Sequence, residues 1–144
     1  MMRSWAALGV ASAFGALAVL HGYWALGGFW PGRDSESLAR MVVGSPPGTR
    51  APGPGPCWCV VMLLLAGMAL VSGAAGFLSL PLAPHWIQRG TLLVAIILLL
   101  RGLLGLAYSI IRRKADSPFV KLNIILYSPL CLLLSLLLCM AMEH

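Results

Sequence analysis

The sequence predicts an all-α, polytopic membrane protein with four transmembrane helices and a short amphipathic interfacial helix in the first loop. Three observations carry this. Of the 144 residues, 60% are hydrophobic and 10% are charged, where soluble domains run at roughly 45–50% and about 25%. The charges leave four long apolar runs: between Arg3 and Arg33, between Arg50 and Arg89, between Arg89 and Arg112 with only Arg101 inside, and between Lys121 and Glu143. A glycine- and proline-rich stretch, 44–56, separates the first two. A membrane helix needs about 20 mostly apolar residues, so the runs place spans near 4–27, 57–79, 88–112 and 118–142.

The first run shares features with a secretory signal, a short basic start and an Ala-x-Ala site at Ala11 to Ala13. Its length and its aromatic, glycine-rich end favour a retained span. Helix 1 carries Ala7, Ala11, Gly15, Ala18 and Gly22 on one face, and helix 2 carries Ala69, Ser72, Gly73 and Gly76. Small residues let membrane helices approach closely, so the two stripes are expected to meet. After Asp34 or Ser35 as a cap, Leu38, Met41 and Val42 recur at helical spacing and Gly44 ends the pattern. This reads as a surface helix with Arg33 and Arg40 near lipid phosphates. Residues 44–56, "GSPPGTRAPGPGP", read as a flexible tether. The fourth span opens on Ser117 as cap and Pro118 in the first turn. Inside it, Pro129 frees the carbonyl of Ile125 and predicts a kink.

The formal net charge of +6 is a topology signal here, and no soluble basic surface points to nucleic acid. Arg33, Arg40, Arg50, Arg112, Arg113, Lys114 and Lys121 fall on one side of the membrane, Arg3 and Arg89 on the other. The positive-inside rule puts the first group in the cytoplasm and both termini outside, in a cell (inner) membrane. Membrane lipid is the expected partner, and self-association into a homo-oligomer is compatible with the pattern. Cys57, Cys59, Cys131 and Cys139 form no Cys-x-x-Cys motif. The last two stand about 12 Å apart along one helix, too far for a disulfide. No histidine cluster exists, so no metal or cofactor is expected.

Arg101 is the anomaly. A central membrane arginine costs about 2.5–3.5 kcal/mol on insertion scales, and its proton does not leave. No span contains an acidic residue. Its charge must therefore meet freed carbonyls and polar side chains, a watery cavity, or an anionic ligand. His21, Tyr23, Trp24, Arg101, Tyr108, Asn123 and Tyr127 all fall in the cytoplasmic half. They are the candidate lining of one polar pocket with Arg101 at its floor. This favours binding of a small anionic or amphipathic ligand or lipid. A structural or assembly subunit with a packed polar core is the alternative. An intramembrane enzyme using His21 as acid/base and Arg101 as anion binder is a third, but nucleophile, metal and carboxylate pair are all missing from the pattern.

"HGYWALGG" at 21–28, "LLLRGLLG" at 98–105 and "FVKLNIILYSPLCLLL" at 119–134 together resemble an uncharacterised bacterial four-helix membrane family, domain of unknown function 3995. The resemblance implies His21, Tyr23, Trp24, Gly27, Gly28, Arg101, Tyr127, Pro129 and Cys131 as signature positions. It also implies an acidic residue often standing where this chain has Asn123, which offers Arg101 only an amide oxygen. No activity comes with the family.

Overall fold

The computed structural model describes residues 2–112 and 117–142. Arg113, Lys114 and Glu143, which enter the charge argument above, lie outside them. The described residues are helical, with no strand among them. Four helices are long and apolar enough to cross a membrane. They are α1 (Met2–Ala25), α3 (Pro54–Ala74), α4 (Pro84–Ile111) and a composite fourth helix. The fourth is built of α5 (Pro118–Leu122), a π-helical turn (Asn123–Tyr127) and α6 (Ser128–Met142). The protein is thus a multi-pass membrane protein with the predicted element order.

The boundaries differ in an instructive way. Spans α3 and α4 start at Pro54 and Pro84, three and four residues before the predicted points, because Pro fits the first helical turn, where its missing N–H has no partner to lose. Ser117 stands at the start of α5, but its hydroxyl makes no capping bond. Span α3 stops at Ala74, short of the predicted residue 79. Gly76 takes φ +77°, and Ser72 O accepts from the Phe77 and Leu78 N–H groups at 2.9 and 3.2 Å. The helix end is closed there.

The bundle closes as a ring, α1 on α3, α3 on α4, α4 on α6 and α6 back on α1. Its dry centre holds Ala7, Val10, Phe14, Val71, Ala95, Leu134 and Leu138. The predicted α1–α3 pairing is present, with Ala7 and Ala18 buried, but Gly73 and Gly76 of the α3 stripe are not what α1 meets. Phe14 packs on Gly67, where an added Cβ would lie 2.8 Å from its ring. Gly73 faces Leu80 and Ile87 instead, and Gly22 and Gly76 have open space. A buried phenyl ring needs one flat recess opposite it, which a run of small residues does not reveal.

The outward faces are apolar, with Leu63, Leu93, Ile97, Leu104, Ile111 and Ile125 exposed. Exposed Trp5, Phe77 and Trp86 stand at one end, and Tyr23, Trp30, Trp58 and Tyr108 at the other. This is the pattern of two interfacial belts.

The surface helix α2 (Ser35–Val42) has Asp34 as its cap. Ser37 N donates to Asp34 Oδ1 at 2.8 Å, and Asp34 N donates to Ser37 Oγ at 3.0 Å. The Ser37 backbone N–H, and after it the Ser37 side chain, hold the Asp34 carboxyl below the usual carboxylate range. Leu38 and Ala39 are buried, so α2 lies on the bundle by its apolar face. The loop after it returns to the start of α2. Gly48 N donates to Glu36 Oε1 at 2.9 Å, and Ala51 N to Ser35 Oγ at 3.0 Å.

Candidate functional site

Arg101 lies midway along α4 and is exposed. Its guanidinium folds back over Gly105, one turn onward, where any Cβ would collide with Nη1 and would stand 2.7 Å from Ser128 Oγ. Glycine at 105 therefore opens the slot that the guanidinium occupies. Both Nη1 and Nη2 donate to Asn123 Oδ1, each at 3.4 Å. These are long bonds to a neutral oxygen. The described carboxylates, Asp34 and Glu36, are engaged at α2.

Asn123 is fully buried and saturated. Its Nδ2 donates to Gly105 O at 2.6 Å and to Ser109 Oγ at 2.7 Å, and its Oδ1 also accepts from Ser128 Oγ at 3.2 Å. One amide thus ties the fourth helix to three residues of α4, Arg101, Gly105 and Ser109. The π-helical turn begins at Asn123, and Ser128 N closes it onto Asn123 O. Pro129 follows at once. The freed carbonyl at Ile125 was one acceptor open to Arg101, but the guanidinium goes to the Asn123 side chain. The neighbouring Gly102 lets the two helices close, since an added Cβ would lie 2.7 Å from Leu132 and 3.2 Å from Ser128 O.

The seven candidate residues do not line one cavity. Tyr108 and Tyr127 belong to an aromatic group around Phe119, with ring centroids 6.3 and 6.1 Å away. Tyr127 donates its hydroxyl to Met41 O at 3.2 Å, which pins α2 to the fourth helix. His21 and Trp24 lie elsewhere. They line a half-open cleft of about 360 Å³ formed by the end of α1, α2, the 51–54 segment and the start of α3. Arg101 is not in that cleft, so the expected arrangement with Arg101 as its floor is corrected. The cleft is mostly apolar, with Leu38, Ala39, Val42, Pro52, Cys57 and Val60 among its walls. His21 and Arg101, paired in the enzyme reading, face different surfaces.

The "HGYWALGG" segment builds one wall of that cleft by ending α1. Gly27 takes φ +94°, and its N–H goes to Trp24 O at 3.0 Å while that of Gly28 goes to Tyr23 O at 2.9 Å. The Tyr23 ring lies so close over Gly28 that no side chain fits there. Trp24 Nε1 donates to Trp30 O at 2.7 Å, holding the chain as it leaves the helix. His21 stacks edge-on against Trp24 at 4.8 Å, and its Nδ1 donates to Leu17 O at 2.8 Å. A carbonyl only accepts, so Nδ1 carries the proton and Nε2 is the nitrogen left for another partner.

These three segments, a glycine-closed helix end, an arginine over a glycine, and a π turn before Pro129, lie together in one sequence pattern. It is that of proteins of unknown function DUF3995, and it matches residues 14–138. The chain belongs to the DUF3995 family. No curated protein and no solved structure matches it. The DUF3995 match takes in all three segments that carried the resemblance.

Ser109, Ser128 and Phe119 are parts of these sites that sequence reasoning did not single out. Ser109 lies two turns beyond Arg101 and Ser128 five residues beyond Asn123. A search for small hydroxyls at helical spacing from the two central polar residues would have found Ser109. Ser128 required the π turn, which brings the fifth residue rather than the fourth onto the same face.

Proposed function

We propose that this protein binds an amphipathic membrane molecule, with its apolar part in the α1–α2–α3 cleft and its polar part toward His21. The observation that carries the reading is the cleft itself. It has the volume of small-molecule sites, about 300–1,000 Å³, and its walls are apolar with His21 and Ser35 as polar points. It lies at the end of the bundle where α2 rests, at headgroup depth, so a lipid-like molecule reaches it from the bilayer. We place that end in the cytoplasm and both termini outside, in a bacterial inner membrane, from the loop charges. No catalytic step is proposed.

Thermal stability tests the reading. Delipidated protein is heated with and without a monoacylglycerol, a single-chain amphiphile that carries no phosphate. A molecule that binds only the folded state raises Tm, by about 2.7 kcal/mol of stability at a hundredfold excess over Kd. The rise is expected in wild type and absent in Val42→Trp, which fills the cleft. An equal rise in both rejects the cleft as the site.

The Asn123 junction favours a second reading, a structural subunit. Its donors and acceptors satisfy one another within the bundle, as a packing lock requires. On that reading the cleft variant changes nothing, and variants at Asn123 lower stability without touching any ligand.

A further inference from the structure

A second cleft, of about 420 Å³, lies on the other flank of α2 and opens beside the ends of α4 and α5. It is walled by Arg40, Ser45, Tyr108, Arg112 and Ser117 together with prolines. We propose that it is a phosphate site, which receives the phosphodiester headgroup of an anionic lipid or a free phosphate of the same chemistry. It is separate from the α1–α2–α3 cleft and does not depend on what occupies that one.

Two arginines from different elements line this cleft. Arg40 comes from the last turns of α2 and Arg112 from the end of α4. Neither has a carboxylate among the described residues. Glu36, one turn before Arg40 and the natural i,i+4 partner, accepts from the Gly48 amide instead. Asp34 is held by Ser37. Planar guanidiniums bind phosphate oxygens in pairs of parallel bonds, and two of them can share one phosphate. The hydroxyls of Ser45 and Ser117 add donors of the kind that complete such sites.

Aromatic contacts hold the walls in place. Arg112 stacks on the Tyr108 ring at 5.9 Å. Tyr108 rests edge-on against Phe119. Phe119 in turn covers Gly44, where an added Cβ would lie 2.8 Å from its ring. The Tyr127 hydroxyl holds the last turn of α2 through Met41 O. The exposed Tyr23, Trp30 and Trp58 mark this end as an interface, which puts the two arginines level with lipid phosphates.

Nanodiscs of equal phosphatidylglycerol and phosphatidylcholine test the site. The full chain is released into a native mass spectrometer and retained lipid is read. Wild type is expected to keep phosphatidylglycerol over phosphatidylcholine. R40Q/R112Q is expected to lose that preference about thirtyfold, two basic contacts at about fivefold each. Arg50→Gln, on the same side but outside the cleft, leaves it intact. R40K/R112K keeps the charge and the fold while losing the paired bonds, and an intermediate preference is expected. Inorganic phosphate added to detergent-solubilised protein separates the sources. Binding that depends on both arginines, without lipid selection, assigns the site to a soluble phosphate. A lipid preference unchanged in R40Q/R112Q, with no arginine-dependent phosphate binding, overturns the proposal.

Discussion

Asn123 decides how a membrane arginine can exist here without an acid. Its oxygen takes both Nη groups of Arg101, and its nitrogen is held by the Gly105 carbonyl and the Ser109 hydroxyl. Removing it leaves a carbonyl, two hydroxyls and a guanidinium without that partner. Unsatisfied buried groups cost about 1–3 kcal/mol each in soluble proteins, while single membrane hydrogen bonds average about 0.6 kcal/mol. Asn123→Ala is therefore expected to lower stability by about 2 kcal/mol. Ser128→Ala, which removes one bond, should cost less than about 1 kcal/mol. Reversible unfolding in mixed detergent measures both. Equal losses in the two variants would show that the amide is not the centre of the junction. The sequence placed Arg101 and Asn123 among seven polar candidates, and only the family resemblance set the Asn123 amide oxygen opposite the arginine. The folding of the guanidinium back over Gly105 was not legible, since a side-chain path depends on which neighbour lacks a Cβ.

At the scale of the helix, three features set the packing: proline starts, glycine stops and one aromatic wedge. The four spans and α2 were readable because charge-free runs and a capped amphipathic pattern are local signals. The π turn was not, because Pro129 predicts a distortion without saying which form it takes. The α1–α3 contact was half legible. The pairing followed from the glycine- and proline-rich connection and the small residues, yet the decisive recess is Gly67 under Phe14 rather than the Gly73–Gly76 stripe. Gly67→Ala is expected to destabilise by about 1–3 kcal/mol, the usual cost of overpacking. Gly22→Ala, with nothing within 4 Å, should be neutral or gain up to about 1 kcal/mol of helix propensity. Thermal melts of the two variants side by side check this. A loss at Gly22 with none at Gly67 would restore the small-residue stripe as the contact.

The whole molecule is a lipid-facing ring of four helices with its chemistry gathered at one end. That end holds α2, both clefts, the Tyr108–Phe119–Tyr127 group and most of the loop arginines. The far end offers Arg3, Arg89 and an aromatic belt. Such asymmetry follows from the loop charges. A reporter active only in the cytoplasm is therefore expected to be silent when fused at the C-terminus and active when inserted near Gly48. The reverse result would invert the placement of both clefts. The sequence gathered seven polar residues in this half by depth alone. Depth does not give azimuth, so residues at one level on different helices came out on three different surfaces.

We propose that a membrane amphiphile sits against His21 and not against Arg101. Native mass spectrometry of gently extracted wild type, Val42→Trp and Arg101→Gln tests it most directly. One more bound lipid-like mass is expected on wild type and on folded Arg101→Gln than on folded Val42→Trp. A mass that survives Val42→Trp and disappears with Arg101→Gln would contradict the proposal and move the site to the arginine.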